Sequence, residues 1–442
     1  MMGTIVGAFH RFRRYLLMGA TLESFLRFLR YLLSCIPGIS VTMLSAVLKP
    51  LLLLFRYPRF SSIPSGPHQD IGAHTMRIPG ATACQIFYPA ANSTSAASSR
   101  HPYFRPDAVA GLAEATGVPA SVFDFLSARR HPCARDAAPA PGPGRFPLVL
   151  FSHGLFGSME TYTALCRDLA SHGFVVAALE HEDGSGHYAR SEEGRTTLYV
   201  RPDDTPYSRA KVMGFRGPMH DRRVGEIRRA LEYLSAPAAP EGGAASVGPT
   251  LAGILASADV SDGAALLGHS FGAASAVLSQ QRFAKSAAAV RVGSVAVLDP
   301  WCFSLPEEAL DEGVSVPLLS VLSSQWPTGR EFPQVVQCLE SSNIAVDGGG
   351  ATGSLWAPRA VHQSFSDTYC WLPGFVTKRM GMRGKKEKRH ETVGAVAFAC
   401  AVHFRRSLGK ESGLKEKEES RLIGASFGDT LLPFPLRSKK LE

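Results

Sequence analysis

The chain has 442 residues, more than one average domain, but a single α/β catalytic core with insertions and decorated ends also reaches this length. Its 45% hydrophobic and 19% charged residues are typical of a globular protein, and the lack of an internal repeat, collagen-like period or heptad period excludes those fibrous and repeat classes. Eight scattered cysteines without a Cys-x-x-Cys pair argue against a zinc site or a disulfide scaffold.

The net charge of +9 is concentrated at the two ends of the chain. Residues 1–60 carry +7 and residues 376–442 carry +8, which leaves −6 for the part between them. A nucleic-acid-binding protein would present its basic residues as a face of the folded core, so no nucleic-acid partner is predicted. Anionic lipid is the partner that a basic, apolar terminus favours.

Residues 1–60 are predicted to form a basic, apolar membrane-contact or targeting segment. The uncharged stretch from Tyr31 to Leu48 is a borderline spanning helix, because Pro37 and Gly38 interrupt it. Two interfacial helices or a re-entrant hairpin are equally consistent with the pattern, and an organelle transit segment or a secretory signal are alternatives. The predicted location is membrane-associated, inside the cell or in the secretory pathway, with organelle targeting as a further option.

Residues 61–408 are predicted to form one α/β catalytic domain with loop insertions, such as the Ala, Pro, Ser and Gly-rich stretch 92–145. Short apolar runs mark its strands. The first is the alternating run 83–89, which suits an outer strand. The others, in chain order, are Phe146 to Ser152, Phe174 to Glu180, 264–267, Val292 to Leu298 and Pro317 to Leu322. A helical stretch around Glu160 to Ser171, between the second and third runs, implies a mainly parallel sheet with helices on both faces.

Two further helices and a tail are predicted. Apolar residues recur at helical spacing from Asp221 to Leu234, so this helix should bury one face and turn its arginines to water. A small-residue helix is predicted over 392–408. Residues 409–442 are predicted to be a charged, partly disordered tail.

The pentapeptide Gly268-His269-Ser270-Phe271-Gly272 follows the apolar run 264–267 and precedes the small residues 273–276. Between a strand and a helix, Gly-x-Ser-x-Gly holds a serine on a sharp turn as an exposed nucleophile. A second match around Ser426 follows a charged stretch and has no histidine after it, so it is interpreted as a pattern match without a catalytic role. The pattern predicts a serine hydrolase with Ser270 as its nucleophile.

A serine nucleophile needs a histidine to take its proton and an acid to orient that histidine. After Ser270, His390 lies in a basic run and His403 lies near a helix end, whereas His362 lies in a polar turn. Among eight carboxylates between Ser270 and His362, only Asp299 ends an apolar strand, which would place it at the same sheet edge as the serine. The predicted triad is Ser270, Asp299 and His362, and the alternative for Asp299 is a helix cap.

Two backbone N–H groups must hold the oxyanion that forms when the serine attacks. Phe271, directly after the nucleophile, is the first predicted donor. The turn Phe151-Ser152-His153-Gly154-Leu155 follows a buried strand, and its glycine lets the loop turn inward, so Leu155 is the second predicted donor. No metal and no cofactor are predicted for this chemistry.

Five sequence blocks, found here in one order, resemble those of the platelet-activating factor acetylhydrolases. The blocks are Phe151 to Leu155, Asp168 to His181, the pentapeptide around Ser270, Leu298 to Trp301, and Val361 to Phe365. The resemblance covers about residues 64–405 and implies an α/β-hydrolase fold with the same triad and oxyanion residues. It also implies calcium-independent hydrolysis of the short or oxidised sn-2 acyl group of phosphocholine lipids. Ala273 stands where relatives usually carry a glycine, a departure that should not remove the nucleophile. The Ala/Pro-rich insertions also differ from the family pattern and leave the acyl-chain preference open.

The leading interpretation is therefore a membrane-associated phospholipid esterase that forms an acyl-enzyme on Ser270. A general carboxylesterase or a longer-chain lipase on the same fold is the alternative. A catalytically silent lipid-binding protein is the third hypothesis, which the predicted triad disfavours.

Overall fold

The computed structural model describes residues 49–91, 101–141, 145–202, 208–236, 249–286, 291–345, 353–388, 390–409 and 430–434. Most of the predicted membrane-contact segment, including Tyr31 to Leu48, lies outside the described residues, as do the second pentapeptide around Ser426 and most of the predicted tail.

The described strands and helices alternate along most of the chain. The strands are β1 Ile71–Arg77, β2 Ala83–Pro89, β3 Ala134–Arg135, β4 Phe146–Ser152, β5 Val175–Leu179, β6 Tyr188–Arg190, β7 Thr196–Leu198, β8 Ala258–Asp259, β9 Ala264–His269, β10 Val292–Leu298, β11 Leu318–Ser323, β12 Gly353–Ala357 and β13 Leu432–Pro433. The helices are α1 Pro106–Thr116, α2 Asp124–Ala128, α3 Thr163–Ser171, α4 Arg209–Ser235, α5 Pro249–Ser257, α6 Phe271–Ala284, α7 Glu307–Glu312, α8 Phe332–Ala345, α9 Thr368–Trp371, α10 Gly374–Arg379 and α11 Glu391–Ser407.

One large sheet organises the described core. Its strand order is β13-β12-β11-β10-β9-β4-β5-β2-β1-β3, with β8 beside β4. The central strands from β5 to β12 pair in parallel, whereas β2, β1 and β13 add antiparallel pairs at the two sides. The predicted mainly parallel α/β-hydrolase fold is confirmed. The chain reverses its direction of winding between β4 and β9, and open α/β sheets bind their ligands at such a switch point.

Helices cover both faces of the sheet because its buried strands carry apolar side chains on each side. Within β4, Val149 and Phe151 belong to a core packed under α3 and α11, while Leu148 and Leu150 belong to a second core under α4 and α6. This alternation follows from the two-residue period of a strand. The run 83–89, predicted as an outer strand, instead lies between β5 and β1 and is buried along its whole length, because β1 covers its free edge.

Helix α4 corrects one sequence expectation. It spans 27 residues, and the predicted apolar face, with Val224 and Leu231 among its members, is buried. Its arginines do not all face water, however: Arg216 is 3% exposed and Arg223 is 0% exposed. Helical periodicity reports which face is apolar, but it does not report a buried acceptor elsewhere in the fold that can pair with an arginine.

The described ends of the chain pack against the core and the sheet. Leu52 and Tyr57 are buried in the core, and the Lys49 ammonium lies 2.9 Å from a carboxylate oxygen of Asp124. At the other end, Leu432–Pro433 forms an edge strand antiparallel to β12. Within the described part of the chain, no helix combines the length and the apolar character that crossing a membrane requires. The predicted domain boundaries at residues 60 and 408 stay predictions.

Candidate active site

Ser270 occupies a sharp turn between β9 and α6. Its backbone has φ 55° and ψ −118°, a conformation that costs energy for a residue with a side chain. The flanking glycines make the turn possible. A Cβ on Gly268 would lie 2.4 Å from the carbonyl oxygen of Gly272, and a Cβ on Gly272 would lie 2.1 Å from the carbonyl oxygen of Ser152. The turn thus holds the serine at the carboxyl edge of the sheet, as the pentapeptide predicts.

Asp299 directly follows β10, the parallel neighbour of β9, and is completely buried. Because Leu298 pairs with His269 in register, Asp299 and Ser270 leave adjacent strands at the same level. The Asp299 carboxylate accepts the Ser323 backbone N–H at 2.7 Å and the Ser323 hydroxyl at 2.6 Å. These donors hold the carboxylate in one orientation. Ser323 ends β11, and no local sequence signal distinguished it.

His362 completes the predicted constellation. Its Nδ1 donates to the Asp299 Oδ2 at 2.9 Å, and its side chain is 8% exposed. The Trp326 ring stacks on the imidazole with ring centroids 4.5 Å apart and planes 5° from parallel, while the His362 backbone N–H donates to Gln325 Oε1 at 3.2 Å. With Nδ1 held by the carboxylate, Nε2 is the ring nitrogen free to exchange a proton with a substrate or a nucleophile.

The structure therefore brings the three predicted residues to one edge of the sheet. The His269 ring, next to Ser270 in the chain, has its centroid 4.4 Å from that of His362. The two other candidate bases have packing roles. His390 Nδ1 hydrogen bonds with the Tyr369 hydroxyl at 2.8 Å, and His403 Nε2 lies 3.0 Å from the Ser294 hydroxyl inside the core.

The predicted oxyanion donors belong to two segments that meet at Ser270, the start of α6 and the turn after β4. Phe271 is the first residue of α6, where backbone N–H groups have no partner within the helix. Leu155 lies in the turn after β4, and its N–H donates to no acceptor among the described residues. A Cβ on Gly154 would come within 3.1 Å of Ser270 Cβ, so this glycine allows the loop to approach the serine closely. The arrangement suits acyl transfer through an oxyanion.

A match to known proteins covers most of this chain. A family model described as "Platelet-activating factor acetylhydrolase, isoform II" matches residues 66–417. The chain belongs to this family. The resemblance predicted from the five blocks is thereby confirmed.

Curated relatives support the same family. The chain is 28% identical over 257 residues to a platelet-activating factor acetylhydrolase of Bos taurus, covering 55% of this chain and 53% of that protein. It is 27% identical over 237 residues to the Canis lupus familiaris protein of the same name. A putative phospholipase A2 of Schizosaccharomyces pombe is 39% identical over 67 residues, 15% of this chain. The chain thus spans about half the length of the acetylhydrolases that it matches.

A solved structure supports the fold. It is described as a ferulic acid esterase from Streptomyces cinnamoneus and superimposes with a TM-score of 0.57, covering 84% of this chain and 98% of its own. At 23% sequence identity, this likeness shows the fold alone, and it agrees with the mainly parallel α/β sheet described above.

Beneath the candidate site, one tyrosine links the turn at Ser270 to the loop that carries the predicted donor Leu155. The Tyr162 hydroxyl accepts the Gly154 N–H at 3.2 Å and hydrogen bonds with His269 Nδ1 at 2.8 Å. Burial and the neighbouring His362 lower the pKa of His269, which leaves the ring neutral and able to accept that bond. Sequence reasoning did not find Tyr162, because nothing near it in the chain marks the contact.

A second serine-histidine-acid chain lies inside the protein. The hydroxyl of Ser152 lies 2.8 Å from His181 Nε2, and His181 Nδ1 lies 2.7 Å from Glu226 Oε2. Burial raises the pKa of Glu226 to about 7 and lowers that of His181. All three side chains are buried. The hydrogen bonds among them therefore help to hold the loop that begins at Ser152.

The candidate site also contains the group of possible metal ligands found among the described residues. Ligand atoms of His269, Asp299 and His362 lie within 4.8 Å of one another. Each already has a protein partner: Asp299 binds His362 and Ser323, and His269 binds Tyr162. This pattern suits a proton-transferring triad, and the expectation of a metal-free reaction stays a prediction.

Proposed function

We propose that this acetylhydrolase family member is a serine esterase that removes the short or oxidised sn-2 acyl group of phospholipids such as platelet-activating factor. The observation that carries the proposal is the buried Asp299–His362 hydrogen bond beside a serine held in a strained turn between β9 and α6. Family membership supports phospholipids as the substrate class. The acyl preference follows from the sequence resemblance.

The proposed reaction uses residues of the chain alone. The Ser270 hydroxyl oxygen attacks the sn-2 carbonyl carbon while His362 Nε2 accepts its proton, and Asp299 stabilises the imidazolium. The N–H groups of Leu155 and Phe271 bind the oxyanion of the tetrahedral intermediate. Its collapse expels the lysophospholipid, which takes the proton from His362 and leaves an acyl group on Ser270. Water, activated by His362, then attacks this ester and releases the carboxylic acid.

A comparison of three substrates tests the proposal. We expect kcat/KM for 2-acetyl phosphatidylcholine to exceed that for the 2-oleoyl lipid by about 10-fold or more, since each methylene group can change discrimination by that order. EDTA should leave the rate unchanged, because no step uses calcium. Faster hydrolysis of the 2-oleoyl lipid would indicate a longer-chain lipase, and a preference for simple aryl esters would indicate a general carboxylesterase.

Labelling with a fluorophosphonate probe tests the third hypothesis. The probe reacts with an activated serine, so the proposed enzyme should be labelled and the Ser270→Ala variant should not. A protein that bound phospholipid vesicles but was neither labelled nor active would be a silent lipid-binding protein.

We further propose that residues 1–48 bind the enzyme to membrane surfaces, as their basic and apolar composition favours. Deleting them should weaken binding to phosphatidylserine-containing vesicles by about 10-fold or more, since each basic residue near an anionic surface contributes on the order of 1 kcal/mol. Hydrolysis of a soluble aryl ester should not change, because the deletion keeps the buried Leu52 and Tyr57. Unchanged vesicle binding in a sedimentation assay would exclude this role.

A further inference from the structure

Arg223 is a completely buried arginine whose guanidinium fills a polar junction behind the catalytic edge. Its Nε donates to Asp183 Oδ2 at 2.8 Å, and its Nη2 donates to the Ser185 hydroxyl at 2.5 Å. Its Nη1 donates to the carbonyl oxygen of His153 at 2.6 Å and to the Ser152 hydroxyl at 3.1 Å. The donors of the planar group are thus shared between two loops and the end of β4.

The same guanidinium touches both segments that carry the proposed oxyanion donors. His153, whose carbonyl it binds, lies two residues before Leu155. The Phe271 ring lies against the same guanidinium, whose carbon is 4.7 Å from the ring centroid, a cation–π contact. The two donor segments are far apart in the chain, and Arg223 joins them through one rigid group.

Stability alone does not account for this arrangement. Replacing a buried ion pair with apolar side chains of similar volume is often neutral or stabilising, so such a pair is weak support for a purely structural role. Burial raises the pKa of the Asp183 carboxyl, but the positive charge of the Arg223 guanidinium lowers it by more. The pKa of Asp183 therefore lies below its usual value. The pair is therefore ionised, and its fixed geometry is what an apolar replacement would lose.

We propose that Arg223 is a positioning residue that sets the spacing and direction of the Leu155 and Phe271 N–H groups toward the oxyanion. This inference rests on the proposed function. An oxyanion donor stabilises the transition state more than the bound ester, so its displacement lowers kcat and leaves KM nearly unchanged. A lysine keeps the charge but cannot present the planar set of donors that reaches these loops together.

The Arg223→Lys variant tests the inference, with hydrolysis of the 2-acetyl lipid and of a soluble aryl ester as readouts. We expect kcat to fall by about 10²-fold, the size of the effect of losing one oxyanion donor, and KM to change by less than about 3-fold. A trifluoromethyl ketone, which forms a tetrahedral adduct with the serine, should lose affinity in parallel with kcat. A role in folding alone would not produce this parallel loss.

Arg228→Lys is a matched control on the same helix. Arg228 stacks over the Phe283 ring at 5.0 Å and donates to the Ser286 hydroxyl at 3.0 Å, which is similar chemistry away from the catalytic edge. The Arg228→Lys variant should have the same kcat as the wild-type enzyme. The double variant Arg223→Gln/Asp183→Asn removes both buried charges together, and should show the loss of kcat even if Arg223→Lys fails to fold.

The outcomes separate this inference from the proposed function. A wild-type enzyme whose activity depends on Ser270, together with an Arg223→Lys variant of normal kcat or normal ketone affinity, would overturn the positioning role alone. Failure of both Arg223 variants to fold would also overturn it, because the arginine would then be needed for the fold. A wild-type protein without esterase activity would instead refute the proposed function.

Discussion

Replacing Ser270 with alanine is expected to lower kcat by about 10⁶-fold, the size of the loss when a triad serine is removed from a serine hydrolase. The variant should keep the substrate-binding surface and the predicted oxyanion N–H groups, so KM should change little. It lacks the hydroxyl oxygen that forms the acyl-enzyme, and His362 has no nucleophile to activate. The turn itself should tolerate alanine, because the strain at φ 55° is already present in the native backbone.

Ser426→Ala is the matched control for this variant. Ser426 is the serine of the second Gly-x-Ser-x-Gly pentapeptide, so the two substitutions remove the same group from the same local pattern. We expect Ser426→Ala to retain wild-type kcat. A Ser270→Ala enzyme with even about a tenth of the wild-type rate would disprove the assignment of the nucleophile, since the catalysis left by oxyanion donors and binding alone is far smaller.

Replacing Asp299 with asparagine is expected to lower kcat by about 10⁴-fold, as the corresponding change does in a serine protease triad. The carboxylate accepts three hydrogen bonds, from His362 Nδ1 and from the Ser323 N–H and hydroxyl. An amide nitrogen turned toward His362 would donate to Nδ1 and hold the imidazole in the tautomer that cannot accept a proton at Nε2. The serine would then lack its base. Steady-state kinetics at neutral pH measures the loss.

Asp311→Asn controls for the loss of a carboxylate as such. Asp311 lies on the exposed face of α7, so its variant should retain wild-type kcat. The melting temperature of Asp299→Asn should be recorded beside its kinetics, because the substitution alters a buried network. A folded Asp299→Asn enzyme with wild-type kcat would show that Asp299 does not orient the base.

Much of the fold could be predicted because its signals are local. The apolar runs predicted β4 and β10 with the bounds that the structure shows, since buried parallel strands need continuous apolar residues. The observed element bounds differ from the predicted ones where the chain turns. Strand β5 is one residue shorter at each end than predicted, and α3 begins at Thr163 rather than near Glu160. Helix and strand ends depend on hydrogen bonds that a run of residue types does not encode.

The same distinction between local signals and tertiary contacts applies to the candidate site. The sequence by itself indicated the turn at Ser270, the candidate acid and histidine, and the parallel strands of the sheet, because each of these signals lies within a short stretch of the chain. Only the tertiary structure decided that Ser323 anchors Asp299, that Tyr162 links the two catalytic loops, and that Arg223 is buried. These contacts join segments far apart in the sequence. A hydrophobic pattern shows which residues leave water but not which partner a buried polar group meets.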